Sequence, residues 1–205
     1  MGRKACHVGA VSKGIHSRPI WFCPQRDWTK KIQRIHVFSC QKERQEYPTV
    51  WNCPLYNTAN AYSVIVNKKG VCFGFAGALN YLYNKIGIEC RILSNVQNSH
   101  SWNIVNVNGN YYQVDLTQDI ELKNISLKYF NFTDDERRKN DTMKNWYEPL
   151  GERMQDGKIC NSTEFDYFRT VSQYELDGDV MIYKDILDGK DYQIKIDGTE
   201  KVALP

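Results

Sequence analysis

Two periodicities divide the middle of this chain. Cys72, Phe75, Leu79, Leu82 and Ile86 follow one another at steps of 3, 4, 3 and 4, the spacing of one buried helix face. The pattern predicts a helix from Cys72 to Ile86, closed by Gly87, a residue suited to the position after a helix end. Gly74, Ala76, Gly77 and Ala78 are small enough to let another element approach this helix closely. Upstream, Ala61–Val66 reads as a helical or extended lead into the turn Asn67-Lys68-Lys69-Gly70, where Gly70 supplies backbone freedom.

The second periodicity is two. Cys90–Ser94 reads as a strand and Asn95–Ser99 as a polar loop. His100–Val107 alternates, Asn108-Gly109 is a two-residue hairpin signal, and Asn110–Leu116 is the returning strand. With Asn108 and Gly109 as the turn, paired positions sum to 217. Asp115 then stands across from Trp102 and diagonal to His100, on the face that also carries Ile104, Gln113 and Tyr111. A slip of one residue would send the acid and the histidine to opposite faces.

Outside this centre the pattern is weaker. Residues 1–45 show little periodicity, and Lys30–Phe38 fits a short helix or a short strand equally. Thr133-Asp134-Asp135-Glu136 predicts a capped helix start with early acids. Asp-Gly pairs at 156–157, 177–178, 188–189 and 197–198 mark hairpin turns, with strands such as Val180–Tyr183 and Tyr192–Ile196 between them. Calcium loops would need a ligand spacing that these pairs lack. The reading is an α+β chain in three parts: an N-terminal extension over 1–45, a core over 46–150, and a β-rich segment over 151–205.

Composition changes this picture in two places. The net charge is +3, but residues 1–45 hold ten Lys/Arg against two Asp/Glu, leaving 17 basic and 22 acidic side chains in the rest. Such an arm is commonly a solvated extension, and it also suits contact with nucleic acid or an anionic surface. No run approaches the length a membrane span requires, and no apolar segment follows the N-terminal basic residues as in a secretory signal. As written, the expectation is a cytoplasmic chain or one exported by a route that leaves no such mark. The seven cysteines form no CxxC pair, which argues against a zinc ribbon or a redox motif, and no cofactor or metal is expected.

The candidate chemistry lies where the two periodicities meet. Cys72 starts a helix, where backbone N–H groups and the dipole favour a thiolate and can hold a developing oxyanion. A cysteine on an apolar helix face is ordinarily a small core residue, which is the reading Cys90 keeps. His100 has an acid, Asp115, in range to orient it. A thiol, a base and an orienting carboxylate are what activated cysteine chemistry requires. Tyr62, Trp51 and Asn60 can each donate to an oxyanion. Trp102 and Tyr112 read as packing around the site, with Trp102 placed to shield the His–Asp pair from water.

Gly70-Val71-Cys72-Phe73-Gly74-Phe75-Ala76, His100-Ser101-Trp102-Asn103 and Tyr112-Gln113-Val114-Asp115-Leu116-Thr117 together resemble the transglutaminase-like superfamily. The likeness runs from about Ala61 to Asp135 and includes Tyr129-Phe130 and Thr133-Asp134-Asp135. Departures from the bacterial branch are Phe75 for Tyr, Ser101 for Ala, Tyr111 for Trp and Gln118 for Trp, and none removes a group of the triad. The resemblance implies a papain-like α+β fold with the cysteine on a helix packed against an antiparallel sheet. It implies Cys72 as nucleophile, His100 as base and Asp115 as orienter, in acyl transfer from a peptide or protein amide through a thioester, and it favours Tyr62 as the oxyanion donor, since an aromatic residue often stands just before the cysteine motif. A cysteine peptidase is favoured, since nothing marks a dedicated amine site. The alternative is a non-catalytic binding module that retains the fold.

Overall fold

A computed structural model describes residues 59–67, 69–95, 100–121, 126–139 and 155–205. The basic extension, Trp51 and the cysteines before Cys72 lie outside those residues. Among the described residues the chain is α+β, with two antiparallel sheets and a few helices. Helix α1 is Cys72–Lys85. Strands β1 (Cys90–Asn95), β2 (His100–Val107) and β3 (Asn110–Val114) form the first sheet in sequence order. Helices α2 (Leu116–Glu121) and α3 (Asp134–Lys139) follow. Strands β4 (Val171–Asp177), β5 (Val180–Asp185), β6 (Asp191–Lys195) and β7 (Val202–Ala203) form the second sheet, again in sequence order.

The hairpin forms in the predicted register. Asn103 pairs with Val114, Val105 with Tyr112 and Val107 with Asn110. Asn108 and Gly109 have φ of +53° and +90°, which a tight turn between right-twisted strands demands. The returning strand is shorter than expected. It stops at Val114, and Leu116 opens α2 instead. The reason is a cap: Asp115 Oδ1 accepts the Gln118 backbone N–H at 3.2 Å, drawing the chain out of the ladder.

Helix α1 is also rotated slightly from its expected face. Phe75, Leu79 and Tyr83 are buried, whereas Cys72, Leu82 and Ile86 are only partly so. The helix packs on a sheet face built from Cys90, Val105, Val107, Tyr112 and Val114. The opposite face carries Leu93, Trp102 and Ile104, covered by Tyr129, Phe132 and Cys160. Alternation along β2 produces this split, since 103, 105 and 107 point one way and 102 and 104 the other.

Gly70 matters for space rather than for backbone freedom. It is absent from the glycines with positive φ, but a Cβ there would lie 2.3 Å from Val64 Cγ2. Val64 belongs to a π-helical turn, Ser63–Asn67, which presses against the start of α1. The second sheet is joined to the first through one apolar cluster in which Phe165, Phe168, Val171, Tyr174 and Met181 continue the core of α1 and β2. No helix among the described residues is long and apolar enough to cross a membrane.

Candidate active site

His100 is the first residue of β2, and Asp115 is the first residue after β3. The hairpin register brings them together, as the sequence pattern required: His100 Nε2 lies 2.7 Å from Asp115 Oδ2. Both are buried, at 7% and 0% exposure. Asp115 is held from three sides. Its Oδ2 meets the histidine, its Oδ1 caps α2, and its N–H donates to the Tyr129 carbonyl at 2.9 Å. A carboxylate fixed at both oxygens cannot rotate away from the ring.

Cys72 is the first residue of α1 and half-buried. Val71, which precedes it, offers no side-chain cap, and the helix ladder begins only with the Phe75 N–H to the Val71 carbonyl at 3.0 Å. The first-turn amides are therefore not taken up by the ladder. The Cys72 side chain is close enough to the His100 ring to raise its pKa. Burial works against a charge on the His100 ring, but the Asp115 carboxylate and then the Cys72 sulfur outweigh it, carrying the pKa from an ordinary 6.5 to about 10. Of the three predicted residues, His100 and Asp115 are thus in direct contact, and the Cys72 side chain acts on the same ring.

The other two described thiols lie deeper than Cys72. Burial pushes Cys90 up to about 12, with hydrogen bonds from Asn103 and Asn80 only partly opposing it. Burial and the nearby Asp134 carboxylate push Cys160 higher still. Both are buried core residues.

Asn103 joins the two halves of the site. Its Nδ2 donates to the Ala76 carbonyl of α1 at 2.9 Å, so the strand that begins with His100 is tied to the helix that begins with Cys72. Its Oδ1 is buried with no hydrogen-bond partner. Tyr62 stands one residue before the π-helical turn and is 67% exposed. Asn60, the other described candidate donor, uses its Oδ1 to accept the Ser63 N–H at 2.8 Å. Tyr112 packs on the α1 side, with its hydroxyl donating to Ser162 Oγ at 2.7 Å.

Sequence reasoning placed Trp102 beside the His–Asp pair but missed the polar chain that lies behind it. The Trp102 indole stacks on His100, with ring centroids 6.0 Å apart and an interplanar angle of 11°. Its Nε1 donates to Gln113 Oε1 at 2.9 Å, and Gln113 Nε2 donates to Asp134 Oδ1. Asp134 also accepts from Gln155 Nε2 and the Cys160 N–H, each at 3.1 Å. Arg137 ends the chain, donating to Gln155 Oε1 at 3.1 Å. The one available signal was the two-residue period, which put Gln113 on the face of His100 and Trp102.

Among the described residues, no group of three or more His, Cys, Asp or Glu is placed to hold a metal ion. The family model of the transglutaminase-like superfamily matches residues 24–116, a span that holds Cys72, His100 and Asp115. No curated protein matches the chain.

Proposed function

We propose, for a chain that belongs to the transglutaminase-like superfamily through residues 24–116, that it is a thiol enzyme acting on amide acyl groups of peptides or proteins. The observation that carries this reading is the buried His100–Asp115 contact of 2.7 Å with the Cys72 sulfur on the same ring. Nε2 is committed to the carboxylate, which leaves Nδ1 for the sulfur. A stabilised cation on His100 is the counter-charge that a thiolate needs.

The reaction runs in two halves. The Cys72 thiolate attacks the carbonyl carbon, forming a C–S bond while the C=O electron pair moves to oxygen. First-turn amides of α1, with a second donor upstream such as Tyr62, hold that oxyanion. The intermediate collapses, the C–N bond breaks, and His100 gives its proton to the departing amine. Water or a second amine then attacks the thioester carbonyl carbon and loses its proton to His100; the C–S bond breaks, which frees the acyl product and returns the Cys72 thiolate. Hydrolysis is the favoured outcome, making the protein a cysteine peptidase.

A binding module on the same fold is the rival reading. Such a module has no need of a cationic histidine held between a carboxylate and a thiol. The test is turnover of peptide and glutamine-amide substrates by the full chain and by Cys72→Ala. Loss of turnover in the variant supports the enzyme. Equal turnover removes Cys72 as the nucleophile.

A further inference from the structure

We propose that Gln113 is a positioning residue for this thiol chemistry, holding the Trp102 indole flat against the His100 ring. The inference rests on the reading of Cys72 and His100 as a reactive pair. It begins with an amide whose orientation is fixed by its neighbours. An indole N–H can only donate and a carboxylate can only accept. Trp102 Nε1 therefore sets the Gln113 oxygen on its own side, and Asp134 sets the amide nitrogen on the other.

Both ends of this tether are anchored in the buried interior. Trp102 is 1% exposed and Gln113 0%. Asp134 is in turn gripped by Gln155 and the Cys160 N–H. The indole consequently has one orientation, and that orientation is nearly parallel to the imidazole. An indole face beside a desolvated cation stabilises the charge. It also removes the space into which the ring could turn, keeping Nε2 on Asp115. Of the titratable groups, Asp115 and Cys72 face His100, while Cys160 and Arg137 lie with Asp134 at the far end of the tether. Gln113 itself carries no charge, so its effect passes through the indole.

The test is alkylation of Cys72 by iodoacetamide across a pH series, read by mass spectrometry on the folded full chain. Gln113→Met keeps the length of the side chain and removes both bonds. The expected result is a rate lower by roughly tenfold on the acid side of the profile, converging with the wild type at high pH, where His100 has lost the charge that the indole supports. A purely structural loss would shift the rate at every pH alike. Trp102→Phe, which keeps a ring but removes the N–H, is expected to move the profile in the same direction and carries the test if Gln113→Met does not fold. If the wild-type Cys72 reacts no faster than Cys90, the thiol reading itself fails. If the wild type is fast and either folded variant matches it at every pH, the tether is irrelevant and this inference alone is overturned.

Discussion

Asn103 Nδ2 donates to the carbonyl oxygen of Ala76 at 2.9 Å, and this bond ties β2 to α1 between the histidine and the cysteine. The amide sits in a buried space, at 1% exposure. Asn103→Ala should remove the tie and leave a void, costing about 1–3 kcal/mol of stability. Because the tie lies four residues into the helix, the start of α1 should shift relative to His100. A lower urea midpoint together with slower Cys72 alkylation is the expected pair of results. An unchanged alkylation rate would show that apolar packing alone sets the distance between the two elements.

The charge on His100 makes stability depend on pH. Its pKa is raised from 6.5 in the free state to about 10 in the fold, so the folded protein holds the proton more tightly. That contribution is fully present below pH 6.5 and is lost as pH rises through about 10. His100→Asn cannot hold the proton and should lack this component. The measurement is the stability difference between wild type and variant by urea unfolding at about pH 6 and at about pH 10. The gap should narrow with rising pH. A gap that stays constant would mean that folding leaves the ring's hold on its proton unchanged, and a gap that widens would mean that the ring is neutral in the folded protein.

The described thiols should react in order. A thiol at about 12 is ionised at neutral pH to about one part in 10⁵, and Cys160 lies higher. Cys72 should therefore be alkylated well before Cys90 or Cys160 in the native protein. Peptide mapping after brief iodoacetamide treatment reads the order directly. Simultaneous labelling of all three in folded protein would contradict an activated Cys72.

Much of this site could be read from residue order because its parts are local. The period in α1, the Asn108-Gly109 turn and the resulting register needed no tertiary information, and the register alone delivered the His100–Asp115 pair. The remainder required partners distant in sequence. The face of α1 turned toward Tyr83 because β2 and β3 offered it a fitting surface, which no helical wheel shows. Asp115 ended its strand early by capping α2, although Gln118 three residues on was a visible hint. Strand β4 was not named from the sequence. A register shift between Ser172 and Glu175, with Gln173 at φ +48°, breaks its alternation. Asp134 was read correctly as an early helical acid, with Thr133 Oγ1 accepting the Glu136 N–H at 3.1 Å. That its carboxylate turns inward to meet Gln113 depends on segments 21 residues away on both sides.

Gly70 offers a test of close approach without any change in the reacting groups. A methyl group there would meet Val64 Cγ2 at 2.3 Å, with Phe75 at 3.6 Å behind it. The Ser63–Asn67 turn has to move for Gly70→Ala to fit, at a cost of about 1–3 kcal/mol. Gly109→Ala is the useful contrast. Nothing lies within 4 Å of its Cβ, but its φ is +90°, so strain alone should cost about 1 kcal/mol. Thermal melts should rank Gly70→Ala below Gly109→Ala, and only the former should disturb Cys72 reactivity.

Arg169 is expected to matter to the site although it touches none of its reacting groups. Its guanidinium is largely enclosed and donates to the backbone carbonyls of Lys128, Phe130 and, at 3.0 Å, Asn131. The same segment presents the Tyr129 carbonyl to the Asp115 N–H, and Asp119 Oδ1 accepts the Tyr129 N–H at 2.9 Å. Arg169 thus clamps from the C-terminal side the loop on which the carboxylate of Asp115 leans. Desolvation opposes its charge, and the charge of Asp119 is the first of the compensating interactions. Arg169→Met would keep the aliphatic length and leave several carbonyls unmatched, for a loss of about 2–5 kcal/mol. Arg169→Lys, with a point charge in place of a planar fork, should recover only part of this. Hydrogen exchange at Asp115 and Tyr129 reports on the clamp directly. Faster exchange at both amides, with slower Cys72 alkylation, is expected in Arg169→Met. Protected amides in that variant would mean that Asp119 and the Gln113–Phe132 backbone pair suffice to hold the loop.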